Sequence, residues 1–183
     1  MGRPKLVCRL DGKKIIFGVV SSALSSSLRD VIVVTGRAEG LVVDALQGLT
    51  GDSKLRIVQN QNPEAGMASS ITTGMSAVPH NAQGVMIILG DQGKLSSSVV
   101  DLLLAEFGDH PTAIVVPTIY GGDTTPVVFP AAFYPDLKRL SGDIGGRSIV
   151  QRAQDAVVRI ELGGVYDDRD VDTEDDLKRL QEG

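Results

Sequence analysis

The feature that most constrains this chain is a set of short aliphatic runs that do not alternate with polar residues. Val31-Ile32-Val33-Val34-Thr35, Val85-Met86-Ile87-Ile88-Leu89, Ala113-Ile114-Val115-Val116 and Val157-Val158-Arg159-Ile160 each stop at a Gly, Pro or Glu. A strand with one wet face alternates, whereas an unbroken aliphatic run needs cover on both faces. The cover is legible between the runs. Ile16, Val19, Val20, Ala23, Leu24 and Leu28 keep helical spacing, and Glu39 to Leu49, Met67 to Val78, Ser96 to Phe107 and Ala131 to Leu140 read as further helices. Arg56-Ile57-Val58 and Val127-Val128-Phe129 add short strands, and a last helix is predicted from Thr173, with Asp176 as an acidic variant of the capping box. Strand–helix alternation predicts an α/β fold, doubly wound, with a mostly parallel sheet. With aromatics at 4% and no Trp, its core must be built from Val, Leu, Ile and Ala. The 183 residues suit one domain spanning 1–183.

Several function classes fall away on composition. Eighteen Lys and Arg against 23 Asp and Glu leave a net charge of −5, with no basic stretch able to track a phosphate backbone, so nucleic acid is not an expected partner. The single cysteine, Cys8, excludes an internal disulfide, and His80 and His110 alone cannot build a His-rich metal site. Basic residues precede the apolar stretch Ile15 to Leu24, as in a signal peptide, but Asp11, Ser21, Ser22 and the helical spacing argue against one. No run has the ~18 apolar residues of a membrane span. The expected setting is the cytoplasm, with no membrane partner.

In an open α/β sheet, ligands bind beyond the carboxyl ends of the strands. The run Val85 to Leu89 delivers Gly90-Asp91-Gln92 to that rim. The residues alone leave Asp91 two roles, a Mg²⁺ ligand beside nucleotide phosphates or the cap of the helix that begins near Ser96. Gly93-Lys94 imitates the end of a P-loop, but Ile88 and Leu95 stand where Gly and Ser or Thr are required. The acidic cluster from Asp167 to Asp176 fails as a calcium loop, with Thr173 in place of the Gly and Arg179 in place of the Glu. Gly74-Met75-Ser76-Ala77-Val78 lacks the final Gly of a nucleophile elbow, which disfavours a serine hydrolase. Asn62-Pro63-Glu64-Ala65-Gly66-Met67 and Ser141-Gly142-Asp143-Ile144-Gly145-Gly146-Arg147 are Gly-bearing turns that enter helices, where backbone can approach an anionic ligand.

In this order the motifs resemble the MobA-like nucleotidyltransferases, in particular the molybdenum cofactor cytidylyltransferase branch. Met1-Gly2-Arg3-Pro4-Lys5-Leu6 is similar to the second half of that family's L-A-A-G-x-S-x-R-M-G-x-x-K signature. Asn62 to Ser70 is similar to its N-x-x-x-G-M-x-x-S loop, and Leu89-Gly90-Asp91-Gln92 to its L-G-D-Q/M segment. Pro126-Val127-Val128-Phe129, Gly142-Asp143-Ile144-Gly145-Gly146-Arg147 and Asp170-Val171-Asp172-Thr173 resemble P-V-L-F, G-D-x-G-A-R and D-V/I-D-T. The resemblance implies a Rossmann-like nucleotide-diphospho-sugar transferase fold. It also implies Mg²⁺-dependent transfer of CMP or GMP from CTP or GTP to a phosphorylated acceptor such as molybdopterin, with release of pyrophosphate. By the same resemblance Lys5 and Asp91 are catalytic, Lys5 meeting the triphosphate, and Asp91 and Asp172 hold metal. Gly2, Asn62, Glu64, Gly66, Met67, Ser69, Ser70 and Gly90 bind nucleotide, and Gly142, Asp143 and Arg147 border the acceptor.

The sequence departs from the family pattern at three places. Gly93-Lys94 replaces Pro-Leu, Thr125 stands where His or Asn is common, and the strand and L-A-A-G loop that precede the signature methionine have no counterpart. Two other functions stay open on the sequence: a silent nucleotide- or cofactor-binding maturation partner of a molybdoenzyme, and a sugar-phosphate or phospholactate nucleotidyltransferase. Homo-oligomer contact is a further possibility at this stage. The expectation for the N-terminus is a shortened form, with the first, central strand missing, arising from a start codon assigned too late, with genuine loss of the segment as the alternative. An in-frame extension into the upstream DNA should then melt higher and release pyrophosphate faster than the chain as given. Equal stability and activity of the two forms, or no L-A-A-G-like coding sequence upstream, would overturn this expectation.

Overall fold

A computed structural model describes residues 5–10 and 12–167. Gly2, Asp172 and the helix expected from Thr173 lie outside the described residues. A 3-10 turn (Lys5–Val7) leads into a hairpin of β1 (Arg9–Leu10) and β2 (Lys13–Lys14), and α1 (Ile15–Ser25) follows directly. The apolar spacing runs on to Leu28, but the helix stops earlier. Ser26 turns its backbone N–H and its hydroxyl onto the Ala23 carbonyl, at 3.3 and 2.7 Å, the local competition with helix typical of serine. β3 (Val31–Thr35), α2 (Glu39–Ala45) and β4 (Leu55–Gln59) form a right-sized unit in which β3 and β4 pair in parallel, Val31 opposite Leu55. α2 is shorter than its spacing predicts because Gly48 has φ 94°, which no right-handed helix accommodates.

α3 (Met67–Ser76), β5 (Gly84–Ile87), α4 (Ser97–Asp109) and β6 (Ile114–Ile119) continue the alternation. It then breaks. β7 (Gly122–Asp123) and β8 (Val127–Pro130) follow β6 with no helix between them. α5 (Tyr134–Lys138), α6 (Arg147–Arg152) and β9 (Val157–Glu161) complete the described chain. The stretch read as one helix from Ala131 to Leu140 is a 3-10 turn (Ala131–Phe133) joined to α5, with Pro135 in the first turn of α5.

The fold is α/β, as expected, but the sheet is mixed rather than mostly parallel. β5 pairs with β8, β8 with β6 and β6 with β7, all antiparallel, while β9 joins β6 in parallel. The physical reason is connection length. A parallel neighbour needs a crossover of about a dozen residues or more, and the span from Ile119 to Val127 is too short to hold one. β8 is therefore forced to run back.

β6 organises the core through its two faces. Val115 points into a cluster with Val19 of α1 and Val99, Val100 and Leu103 of α4. Ile114 and Val116 point the other way, to Met75 of α3, Leu137 of α5 and Ile149 and Val150 of α6. β6 is paired along both edges and its residues Ile114 to Thr118 are buried. β5, paired only with β8 among the described residues, is half-buried throughout. β3 and β4 form a separate ladder. Helices tie it to the larger sheet: α1 also packs Ile16, Val20 and Leu24 against Val33 of β3, and α3 brings Gly74 against Val34. No helix among the described residues is long and apolar enough to cross a membrane.

Glu161, at the end of β9, fixes the hairpin that reverses the chain after β6. Its carboxylate accepts from the Thr118 hydroxyl at 2.8 Å and from the backbone N–H groups of Tyr120, Gly121 and Gly163 at 2.9, 3.2 and 2.9 Å. The Thr118 bond, helped by those N–H groups, holds the carboxyl below its usual range. A depressed folded pKa adds stability above the unfolded pKa, and that stability is lost as pH falls through the folded value. Glu161→Gln should therefore melt roughly 2–4 °C below the parent at neutral pH. As pH falls below the ordinary carboxylate range the two melting curves should converge, and a gap independent of pH would overturn the assignment.

Candidate active site

Asp91 stands just beyond the carboxyl end of β5. It is not the cap of α4, because Ser96 occupies that position and its hydroxyl oxygen accepts the Val99 N–H at 3.3 Å. The Asp91 carboxylate pairs with the Lys5 ammonium at 2.5 Å, and both side chains are largely shielded. Two apolar contacts bring them together. A Cβ on Gly90 would lie 3.1 Å from Ile16 and 3.3 Å from Leu6, so the loop rests on α1 and on the turn that carries Lys5. Shielding from water strengthens the attraction between the two charges while costing each of them hydration.

The next residue, Gln92, named above only as the end of the Leu89–Gln92 motif, is a buried amide. Its Oε1 accepts the Leu89 N–H at 3.2 Å, and its Nε2 donates to the Thr125 carbonyl and hydroxyl oxygens at 3.0 and 2.6 Å.

The loop Asn62 to Ser70 is built around a second buried amide, Asn60. Its Nδ2 donates to the hydroxyls of Ser69 and Ser70 at 2.7 and 3.2 Å, and its Oδ1 accepts the Asn62 N–H at 2.9 Å. Ser69 in turn donates to the Gly66 carbonyl at 2.8 Å, so both serines named from the sequence hold the loop together. Glu64 pairs with Arg37, which follows β3; the Asn62 side chain faces solvent, and Met67, though partly exposed, lays its sulfur against Gly145. Gly66, at φ 90°, lies against Gly142: a Cβ on it would be 2.6 Å from the Gly142 carbonyl group. The Ala68 N–H donates to the Gly142 carbonyl at 3.2 Å and the Met67 N–H to Asp143 Oδ1 at 3.3 Å. Asp143, expected on the acceptor side, thus places its charge at the positive end of α3.

A cavity of about 240 Å³ opens between β5, β8 and α6. Ile87, Val116, Val127, Phe129 and Val150 make an apolar floor, and Thr124, Thr125, Asp123 and Arg147 the polar rim. Asp123 is engaged by Arg159 through two bonds of 2.7 and 3.0 Å, which chiefly hold its carboxyl below the usual range, with a further contribution from the charge of Arg147. The candidate residues form a chain of contacts around this cavity. Gln92 joins the Asp91 loop to Thr125 on the rim, while Gly146 and Arg147 bring in the turn whose Gly142 meets Gly66. Among the described residues, no hydrogen bond or ion pair joins Asp91 directly to Asn62–Ser70, and no three His, Cys, Asp or Glu side chains cluster as a metal site.

Residues 1–157 match the family described as the MobA-like NTP transferase domain. The chain belongs to this family. As a MobA-like NTP transferase it is a nucleotidyltransferase, and it is 31% identical over 187 residues to the purine catabolism protein PucB of Bacillus subtilis, covering 98% of this chain and 89% of PucB. Rv0371c of Mycobacterium tuberculosis superposes with a TM-score of 0.84 at 24% identity, over 100% of this chain and 91% of that one. Rv0371c solved in complex with manganese superposes with a TM-score of 0.80 at 25% identity, over 100% and 94% of the two chains. The MobA-like fold thus accommodates the mixed sheet described above.

The Gly66–Gly142 contact yields a direct test. Gly66→Ala adds both a disfavoured backbone conformation and a collision with backbone, so it should cost at least about 1–3 kcal/mol in denaturant unfolding and weaken nucleotide binding. Gly48→Ala is the control, since Gly48 also has a positive φ but open space around its Cβ position. It should lose stability with nucleotide affinity unchanged. Equal affinities for both variants would show that the contact does not govern nucleotide binding.

Proposed function

We propose that this MobA-like protein transfers CMP or GMP from CTP or GTP to the phosphate of a molybdopterin-like acceptor, with a divalent cation, Mg²⁺ or Mn²⁺, and releases pyrophosphate. The observation that supports it is the shielded Lys5–Asp91 pair at the carboxyl end of β5, where an α/β sheet presents its ligand. The donor set suits a hard cation: Mg²⁺ is commonly held by one or two carboxylates together with substrate phosphates, and Asp91 offers one such carboxylate. Asp172, outside the described residues, is proposed as the second. When bound, the cation neutralises phosphate charge and polarises a phosphoryl oxygen.

The rest of the reaction falls to the chain's own groups. An oxygen of the acceptor phosphate attacks the α-phosphorus, and the bond from that phosphorus to the oxygen bridging to the β-phosphate breaks as pyrophosphate leaves. Lys5 supplies positive charge to the triphosphate beside Asp91. The loop Asn62 to Ser70, which Gly66 keeps against Gly142, holds base and ribose together with the Gly90 backbone. Glu64 contributes there through its tie to Arg37. Gly142, Asp143 and Arg147 border the acceptor. The apolar floor of the cavity favours an acceptor with a flat ring, since the hydroxyls of a sugar phosphate would lose hydration there without gaining partners.

Asp91→Asn tests the proposal by removing the charge and keeping the shape. Pyrophosphate release with CTP or GTP and molybdopterin should fall by at least about a hundredfold, with melting changed by only a few degrees. Activity equal to the parent would refute the role of Asp91. Nucleotide binding by the parent without any pyrophosphate release would instead favour a silent maturation partner.

A further inference from the structure

We infer that Gln92 is a positioning residue for this reaction, its buried carboxamide locking the Asp91 loop to the rim of the apolar cavity; the inference rests on the reading of Asp91 given above. Gln92 is 2% exposed, and both ends of its amide are hydrogen-bonded. Oε1 takes the Leu89 N–H at 3.2 Å, while Nε2 gives to the Thr125 hydroxyl at 2.6 Å and to the Thr125 carbonyl at 3.0 Å. These partners fix the amide's orientation. A backbone N–H needs the oxygen and a backbone carbonyl needs the nitrogen, so the flipped amide would face donor to donor and acceptor to acceptor.

The geometry makes this amide more than a satisfied core group. Leu89 and Gln92 bracket Gly90-Asp91, and the turn is closed twice: by the Gln92 N–H on the Leu89 carbonyl at 3.4 Å and by the Gln92 side chain on the Leu89 N–H. Asp91 therefore sits inside a clasped turn whose clasp is the Gln92 amide. The same amide is bonded to Thr125, which lines the cavity next to Thr124 and Val127. Displacement of the Asp91 backbone relative to the cavity must strain these bonds. Since the Thr125 hydroxyl oxygen accepts from Gln92, its own proton is directed away from that amide and remains able to donate elsewhere. Methionine has the length and volume to fill the site of Gln92 with neither donor nor acceptor strength to hold the clasp. Substitution by methionine thus separates packing from positioning.

The test compares the parent chain with Gln92→Met, Thr125→Val, the double variant and Asp91→Asn. Melting temperature, Mn²⁺ affinity from the electron paramagnetic resonance of free Mn²⁺, and kcat and KM for CTP are measured for each. Gln92→Met should weaken Mn²⁺ binding about tenfold at temperatures well below its melt and lower kcat about tenfold, while KM for CTP moves by less than about threefold. Thr125→Val should weaken Mn²⁺ binding in the same direction but less, and the double variant should be no worse than Gln92→Met alone. If Gln92→Met does not fold, Thr125→Val carries the test. Unchanged Mn²⁺ affinity in Thr125→Val, and in Gln92→Met where it folds, would overturn the inference and leave Gln92 purely structural. Loss of Mn²⁺ affinity in Asp91→Asn alone would overturn only the role of Gln92. Unchanged affinity in Asp91→Asn would overturn the reading of Asp91 and this inference with it.

Discussion

β6 is the reference from which the positions of the other elements follow. It bonds to β8, β9 and β7, and its side chains alternate between two separate hydrophobic clusters, Val115 to α1 and α4, Ile114 and Val116 to α3, α5 and α6. A one-residue slip of its register would exchange those faces and dismantle both clusters at once. That constraint sets β8, which sets β5, and β5 sets where Asp91 emerges. The hairpin after β6 matters for the same reason. Glu161 gathers three backbone N–H groups and a hydroxyl there, so the reversal into β7 and β8 is fixed by a carboxylate rather than left to the turn alone.

The site is assembled by backbone contacts and buried amides more than by charge. Asn60 and Gln92 follow β4 and β5 respectively, and each uses one carboxamide to tie a loop to itself and to a neighbour. Buried amides suit this work because they are neutral, so they are costly to break yet carry no desolvated charge. Of the charged groups, Asp91 sits within the turn that the Gln92 amide closes.

Much of the fold was legible because strands covered on both faces leave an unbroken aliphatic record, as in Val31 to Thr35 and Val85 to Leu89. The antiparallel return of β8 was not read, although Gly121-Gly122 and the short span before Val127 carried the signal; alternation was extended across a gap too short for a helix. At the site, the ordered motifs gave Asp91, the Asn62 loop and the Gly142 turn. The pairing of Lys5 with Asp91 and the contact of Gly66 with Gly142 join residues far apart in the chain, and no local pattern encodes them. Asn60 was missed, and Gln92 was named in its motif without a role, because a polar residue just after a strand looks the same whether it faces solvent or is buried.

The separation of the two ladders has a mechanical consequence. Among the described residues, β3 and β4 share no ladder bond with the larger sheet; side-chain packing under α1 and α3 joins them, with a hydrogen bond of 3.0 Å from Arg29 to Asn81 near the strands' start. Packed aliphatic surfaces can slide by fractions of an ångström at little cost, whereas ladder hydrogen bonds resist displacement along their whole length. The seam between the two ladders is therefore held, among the described residues, by side-chain contacts rather than by ladder bonds. β4 leads into the Asn62 loop and β5 into Asp91, so shear along that seam changes the spacing between them without breaking a single β-ladder bond.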